Sequence, residues 1–373
     1  MFLQKIRFFD NVPKSFFTNE VQMPAPYWPQ MALLHDHGDG AQPIGNILIQ
    51  LQMMAGMRPD LRQNYTQIYR DRFLNVHTDI IEAFSHINKL LQVWDALYLV
   101  AWNHVMVRAR QGFVYNEVMF APQYHCFGKL TPKEVVEALV AGIKKAEEEN
   151  PETEVNLLFA IGRELKQHKA IELLKVLERC DRRYVVGANI VCSENKFPPE
   201  RHRKTIEYAD AAEINIEVHA SEWVRRPKQV PDFERDLPML IKNLRFVLDL
   251  FKKFKSKAKK RIGHGIALPY DQESMDFVIC EQIGVTGCPG SNLQGRNIPN
   301  LKVLRIREML QGNVLWSMNP DDDFFQPNLN EVFQMCNDEY RLTEEEKQKL
   351  LQNPWLSRFG NRKHHLEHLL KKS

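Results

Sequence analysis

Short β-rich runs alternate with amphipathic helical patterns along most of this 373-residue chain, which limits the folds that it can adopt. Strands joined by helical crossovers form parallel sheets, because each crossover brings the next strand back in the same direction. Eight such strands predict an α/β fold, a (β/α)8 TIM barrel, with a doubly wound open sheet as the alternative. The candidate strands are 32–36, 112–120, 154–162, 184–191, 213–219, 259–264, 283–288 and 313–318, and the helix patterns include 131–149, 166–180, 200–211, 270–282 and 301–311.

The two ends of the chain and the first crossover depart from this regular alternation. Residues 41–111 are mostly helical in pattern, so additional helices are predicted between strands one and two, where they cap one end of the barrel. Further helices are predicted at the C-terminus. Residues 1–30 mix phenylalanines with charged residues, and we expect them to pack as an N-terminal extension on a single barrel domain, 31–373.

Composition and charge restrict the partners of the protein. The formal net charge of +3 does not indicate nucleic acid, and the basic stretch 252–261 is interpreted as the solvated face of a helix. The longest apolar runs fall short of the roughly 18 residues of a membrane span. Six cysteines without a CxxC pair, and no signal peptide, predict a cytoplasmic protein. A GxGxxG motif is absent, so dinucleotide binding has no support, and the sequence leaves the oligomeric state open.

Histidines and carboxylates cluster at the ends of the candidate strands. His35 and His37 end strand one, and residues i and i+2 of a strand share a face, so both imidazoles point into the same space. A single histidine there would more often be a core or surface residue than a ligand, but barrels place their chemistry at these strand ends. The other members of the set are His219 and Glu222 at strand five, His264 at strand six, and Asp321 and Asp322 after strand eight.

This set divides by ligand chemistry into metal ligands and proton-handling groups. Imidazole nitrogens and a carboxylate oxygen suit Zn²⁺, although other divalent metals accept the same ligands. Zinc lowers the pKa of a bound water to about 7, and Glu222 and His264 remain beside the metal to move protons. The sequence therefore predicts a metal-assisted hydrolase with one zinc per chain. The candidate metal ligands are His35, His37, His219 and Asp321.

Five motifs in this order resemble the adenosine deaminase family of metal-dependent aminohydrolases, which belongs to the amidohydrolase superfamily. The resemblance covers about residues 32–340 and includes an intact Arg-Ile-Gly-His-Gly and an intact Cys-Pro-x-Ser-Asn. The motifs stand at His35–Gly40, His219–Glu222, Arg261–Gly265, Cys288–Asn292 and Ser317–Asp323.

The resemblance implies hydrolytic deamination of a 6-aminopurine nucleoside, with adenosine or deoxyadenosine giving inosine or deoxyinosine and ammonia. Glu222 would protonate the ring nitrogen next to the carbon that carries the amine. His264 and Asp322 would orient and deprotonate the attacking water. Asp39 would bind a ribose hydroxyl, and His37 and Cys192 complete the implied substrate contacts. A turn role for Asp39 and a structural role for Asp322 are the alternatives.

The departures from the family pattern concentrate around the substrate. Cys192 stands where the family has a purine-contacting glycine, and Met119 where it usually has an arginine. Gly38 replaces a bulky residue, and Asp323 replaces a proline. Cys288 is interpreted as part of a structural turn, with a catalytic thiol as the alternative.

A long basic loop, 223–235, follows the strand-five motif, and its charges leave the identity of the substrate undecided. Arg225, Arg226 and Lys228 could receive a phosphate, or they could belong to a solvated surface loop. A modified or phosphorylated adenine nucleoside and free adenine are therefore alternative substrates. A catalytically silent relative that binds a nucleoside or a partner is the alternative from another class.

Overall fold

The computed structural model describes residues 31–40, 46–74, 80–222 and 232–363. Eight parallel strands pair in chain order into a nearly closed (β/α)8 TIM barrel, which confirms the predicted fold and rules out the doubly wound sheet. The predicted N-terminal extension, 1–30, lies outside the described residues. The strands are β1 Met31–His37, β2 Phe113–Phe120, β3 Glu154–Gly162, β4 Val185–Val191, β5 Ile216–Ala220, β6 Lys260–His264, β7 Gly284–Gly287 and β8 Trp316–Met318.

The helices surround this barrel, and the predicted additional helices are present both before β2 and at the C-terminus. Among the described residues, no helix is both long and apolar enough to cross a membrane. The helices are α1 Ile47–Met54, α2 Tyr65–Leu74, α3 Ile80–Asn88, α4 Trp94–Arg110, α5 Pro132–Glu149, α6 Gln167–Leu177, α7 Arg203–Ala211, α8 Phe233–Phe251, α9 Gln272–Cys280, α10 Pro289–Gln294, α11 Ile306–Gln311, α12 Leu329–Tyr340 and α13 Glu344–Ser357.

Local sequence explains where these elements begin and why they are buried. The α5 helix begins at Pro132, whose fixed φ suits the first helical position, behind a capping box between Thr131 and Glu134. Every residue of β3 is buried, because helices cover the outer face of the sheet and side chains fill the barrel. The result is a rigid barrel whose strands all end at one rim.

Several boundaries differ from the sequence predictions. Strands five and eight begin three residues late, because Glu213 and Asn313 hold φ angles of 52° and 63° that no strand contains. The predicted helix 301–311 is interrupted at Arg305, which has a φ of 45°. The prediction of a helix face over 252–261 is wrong, since α8 ends at Phe251 and the stretch forms the turn into β6.

Candidate metal centre and active site

Four side chains predicted as metal ligands converge at the rim of the barrel. The ligand atoms of His35, His37 and His219 lie within 4.8 Å of one another. The Asp321 carboxylate completes the group, with its Oδ1 3.5 Å from His35 Nε2 and 3.3 Å from His37 Nε2. Side chains from β1 and β5, on opposite sides of the barrel, therefore converge with one from the loop after β8.

Unpartnered nitrogens at this point fit a metal ion. Among the described residues, the Nε2 atoms of His35, His219 and His264 are buried without a hydrogen-bond partner. An unsatisfied buried polar atom costs about 1–3 kcal/mol, so three unpartnered nitrogens that converge on one point favour a bound ligand there. Neutral imidazole nitrogens beside a carboxylate suit a divalent cation such as zinc.

The orientation of His35 is set by a buried carboxylate behind it. The Nδ1–H group of His35 donates to Glu217 Oε1 at 2.8 Å, which leaves the lone pair of Nε2 facing the centre. Arg261 Nε donates to Glu217 Oε2 at 2.7 Å. Although burial acts the other way, Arg261 holds the pKa of the Glu217 carboxyl well below its usual range. Glu217 is therefore a charged acceptor that fixes the tautomer of His35.

The segment after β7 holds two further site residues, a role that the sequence analysis did not assign. His264 Nδ1–H donates to Asn292 Oδ1 at 3.0 Å, and Ser291 Oγ donates to Asp321 Oδ2 at 2.7 Å. The intact Cys-Pro-x-Ser-Asn motif contains both residues and is the signal for them in the sequence. Burial raises the pKa of the Cys288 thiol, which keeps it protonated and disfavours the catalytic-thiol alternative.

The predicted proton-handling groups lie beside the ligand cluster. Glu222 Oε2 lies 3.3 Å from His219 Nδ1 and 3.5 Å from His264 Nε2. Burial raises the pKa of Glu222. The pKa of Asp322 is raised well above its usual range by burial and by the neighbouring charge of Asp321. Both carboxyl groups can therefore hold a proton at a higher pH than an exposed carboxyl group would.

The sequence model of the adenosine deaminase family matches residues 31–235 and 246–371, which is most of the chain. The chain belongs to the adenosine deaminase family. This assignment confirms the resemblance drawn from the motifs, and the family comprises metal-dependent hydrolases that act on C–N bonds.

Individual relatives are distant in sequence but close in fold. An adenosine deaminase from Shewanella denitrificans is 26% identical over 230 residues, which cover 61% of this chain and 62% of that protein. The chain thus spans about three fifths of the length of that curated relative.

Solved structures agree over a larger share of the chain. Each of the following covers 92% of this chain. An adenine deaminase from Arthrobacter aurescens has a TM-score of 0.73 at 20% identity, with 98% of its own chain covered. An amidohydrolase from Burkholderia ambifaria with bound zinc has a TM-score of 0.75 at 18% identity, with 89% covered. The Arabidopsis N6-mAMP deaminase has a TM-score of 0.72 at 17% identity, with 98% covered.

Four residues at the ends of the strands hold left-handed backbone conformations. The φ angles are 78° at Cys192, 70° at Ser221, 61° at His264 and 68° at Asp321. Such conformations are costly for residues with a side chain and cluster at functional sites. Cys192 therefore keeps the positive φ that its glycine counterpart in the family motif would accept, so its backbone N–H could serve the same contact.

The remaining predicted substrate residues lie near the cluster, apart from those in the basic loop. Asp39 is buried after β1, with its Oδ2 3.9 Å from His125 Nε2. His37 retains 13% side-chain exposure, and Phe84 of α3 lies beside it with ring centroids 6.5 Å apart. Cys192 Sγ lies 3.9 Å from the hydroxyl of Tyr124. Within the basic loop, Arg225, Arg226 and Lys228 all lie outside the described residues.

Two further departures from the family pattern are accommodated inside the fold. Met119 is fully buried in the barrel, and its Sδ lies 2.7 Å from Asn189 Nδ2. Gly38 faces the side chains of Phe120 and Val118, which an added Cβ would approach to 3.0 and 3.2 Å. The bulky residue of the family motif therefore has no room at position 38.

Proposed function

We propose that this protein deaminates a 6-aminopurine nucleoside hydrolytically, with adenosine or deoxyadenosine as the substrate and a divalent metal, zinc, as the cofactor. The observation that carries the proposal is the position of Glu222, whose Oε2 lies within 3.5 Å of both His219 and His264. A proton donor thus stands directly beside the ligand cluster. The family assignment supports the same reaction.

Each proposed catalytic residue has a task that its surroundings favour. A metal bound by His35, His37, His219 and Asp321 would lower the pKa of a bound water to about 7. Glu222, with its pKa raised by burial, holds the proton that the purine ring nitrogen receives. His264 and Asp322 face the same space and orient the water and accept its proton. Asp39 is proposed to bind a ribose hydroxyl.

A modified or phosphorylated adenine nucleoside, or free adenine, is the second candidate substrate. Cys192 places a sulfur where the family motif has only a hydrogen, so the contacts to the purine differ from the family pattern. Solved proteins of the same fold include an adenine deaminase and an N6-mAMP deaminase. The choice of substrate therefore requires a direct assay.

A substrate panel tests the proposal. Ammonia release would be measured with adenine, adenosine, deoxyadenosine, AMP and N6-methyl-AMP, and bound metal would be quantified on the same preparation. The expected result is fastest turnover of adenosine or deoxyadenosine and about one zinc per chain. Faster turnover of AMP, N6-methyl-AMP or adenine would replace the nucleoside by the second candidate. A zinc-loaded protein that releases no ammonia would favour the silent relative.

The first specific prediction concerns Glu222. Glu222→Gln should fold and retain zinc but lose about 10²–10⁴-fold in kcat, because the amide cannot deliver the proton. Steady-state kinetics and metal analysis measure the two properties separately. Glu213→Gln, an exposed change at the other end of β5, is the matched control and should turn over substrate as the wild type does. Undiminished kcat in Glu222→Gln would remove this residue from the mechanism.

A further inference from the structure

The barrel has a seam at the metal centre. The described strands pair continuously from β1 to β8, but β1 meets the segment after β8 through one isolated bridge between Asp36 and Asp321. Asn319 adds a side-chain link there, since its Oδ1 accepts from the amides of Leu34 and His35 at 3.1 Å. One backbone hydrogen bond, from the His37 amide to the Asp321 carbonyl at 3.2 Å, lies at this bridge. His35 and His37 stand on one side of the seam and Asp321 on the other. Whatever closes the seam therefore also sets the distance between these candidate ligands.

A guanidinium from α4 also spans this seam. Arg108 Nε and Nη2 each donate to a different oxygen of Asp36 at 2.7 Å. Arg108 Nη1 donates to Asp323 Oδ2 at 2.6 Å. Asp36 lies between the two histidines of β1, and Asp323 lies two residues after Asp321. The arginine and both carboxylates are 0–1% exposed.

The charges show why this contact matters. Two carboxylates buried on opposite sides of the seam repel each other strongly when nothing neutralises them. The forked guanidinium attracts both and binds Asp36 through two parallel hydrogen bonds, which restricts direction as well as distance. His104 and Asn116 also contact Asp36 Oδ2, each at 3.2 Å, so that carboxylate is held from several sides.

We propose that Arg108 is a positioning residue that holds the ligand-bearing ends of β1 and β8 together across the seam. This inference rests on the proposed metal site. Metal binding and closure of the seam are then linked, because each favours the same approach of His35 and His37 to Asp321. Asp323 stands where the family motif has a proline, so the contact depends on a residue at which this chain departs from that motif.

A purely structural role makes a different prediction. If Arg108 only stabilised the fold, its loss would lower the melting temperatures of the metal-free and zinc-bound protein equally, and the Kd for zinc would not change. If Arg108 has a positioning role, its loss weakens zinc binding. Part of the binding free energy must then be used to bring the two sides of the seam together. Residues that orient metal ligands typically contribute 10–100-fold to metal affinity.

The test measures the zinc Kd of the full chain by competition with a chromophoric chelator. Arg108→Lys keeps a positive charge but loses the fork, and Asp323→Asn keeps the shape but loses the charge. Each should raise the Kd about 10–100-fold. The double variant should have nearly the same Kd for zinc as the single variant that binds zinc more weakly, because both changes break the same contact. Arg307→Lys is the control, since Arg307 pairs with Glu346 away from the site.

The outcomes are distinct. A wild-type Kd in both single variants overturns the positioning role, as does an equal fall in the melting temperature of both forms without a change in Kd. If Arg108→Lys does not fold, Asp323→Asn decides alone, because Arg108 keeps Asp36 and Gln111 as partners in that variant. A wild-type chain that binds no zinc overturns the proposed metal site and this role together. A wild-type chain that binds zinc, with an unchanged Kd in the variants, overturns only the role of Arg108.

Discussion

Three buried histidines of this barrel share one tautomer, in which Nδ1–H donates a hydrogen bond and Nε2 is free. His35 and His264 each donate from Nδ1 to a side chain and turn a free Nε2 toward the candidate metal centre. His125 also has a free Nε2, but its Nδ1–H donates to the Leu91 carbonyl at 3.1 Å on the β2 side of the rim. Burial lowers the pKa of His125 to about 3. The same tautomer therefore supplies a candidate ligand and a candidate water-orienting group at the centre, and at His125 a ring that is neutral at physiological pH.

The neutral ring of His125 predicts a loss of stability in acid. The unfolded chain binds a proton at this residue near pH 6.5, whereas the folded chain does so only near pH 3. Stability therefore falls as the pH drops below 6.5, by about 2 kcal/mol between pH 7 and pH 5 from this residue. His125→Asn keeps a donor for the Leu91 carbonyl and cannot titrate, so urea unfolding of the metal-free variant should show a shallower pH dependence.

A surface histidine provides the comparison for that experiment. His168→Asn changes an exposed side chain at the start of α6 and should leave the pH dependence of the wild type intact. Equal slopes for wild type and His125→Asn between pH 7 and pH 5 would contradict a buried neutral ring.

At the scale of elements, the loop after β4 fixes the end of β5. The buried carboxylate of Glu194 accepts hydrogen bonds from the backbone amides of Ser221 at 3.1 Å and Glu222 at 2.9 Å. Asn243 of α8 donates to the same carboxylate at 2.6 Å. Ser221 Oγ in turn accepts from the Ala267 amide after β6 at 2.8 Å. The loops after β4 and β6 and the helix α8 therefore hold the turn that carries Glu222.

This arrangement predicts a positioning effect of Glu194 on turnover. Glu194→Gln offers one acceptor oxygen where the carboxylate offers two, so one backbone amide of the turn loses its partner. We expect kcat to fall about 10-fold or more, because a misplaced catalytic group can cost up to about 10²-fold, while zinc content stays the same. Glu200→Gln, a half-buried change in the same loop, should behave as wild type. Unchanged kcat in Glu194→Gln would show that the turn is held by its other contacts.

The elements and the convergence of the candidate ligands could be predicted from the sequence because both rest on local signals. A strand reveals itself by its composition, and a histidine at its end falls where barrels place chemistry. Ser291 and Asn292 stand in a recognisable motif, but the other residues that position the site carry no such signal. Arg108 and Asp323 are 215 positions apart, and Glu194 and Asn243 are 49 apart. Only the closed barrel brings these pairs together, so one sequence could not reveal them.

At the scale of the whole molecule, the C-terminal segment covers the end of the barrel opposite the candidate metal centre. Buried charged side chains link this segment to that centre. The amides of Phe359 and Gly360 donate to Glu117 Oε1 at 2.5 and 3.1 Å. Arg261 donates to Glu117 Oε2 at 2.5 Å and to Glu217, whose other oxygen accepts from His35. The backbone at Phe359 and Gly360 and the first candidate ligand thus share one hydrogen-bonded network.

The ring of Phe359 can be removed by mutation without removing the backbone amide that donates to Glu117. It is 9% exposed and lies against Arg261, with the guanidinium carbon 3.8 Å from the ring centroid. Phe359→Ala should lower the free energy of unfolding by about 3 kcal/mol through the lost burial and the lost cation–π contact. Urea denaturation of the zinc-loaded protein measures this change. Phe127→Ala removes a ring that is 78% exposed and should cost far less. Equal losses of unfolding free energy in the two variants would mean that the packing of Phe359 adds no more stability than an exposed ring does.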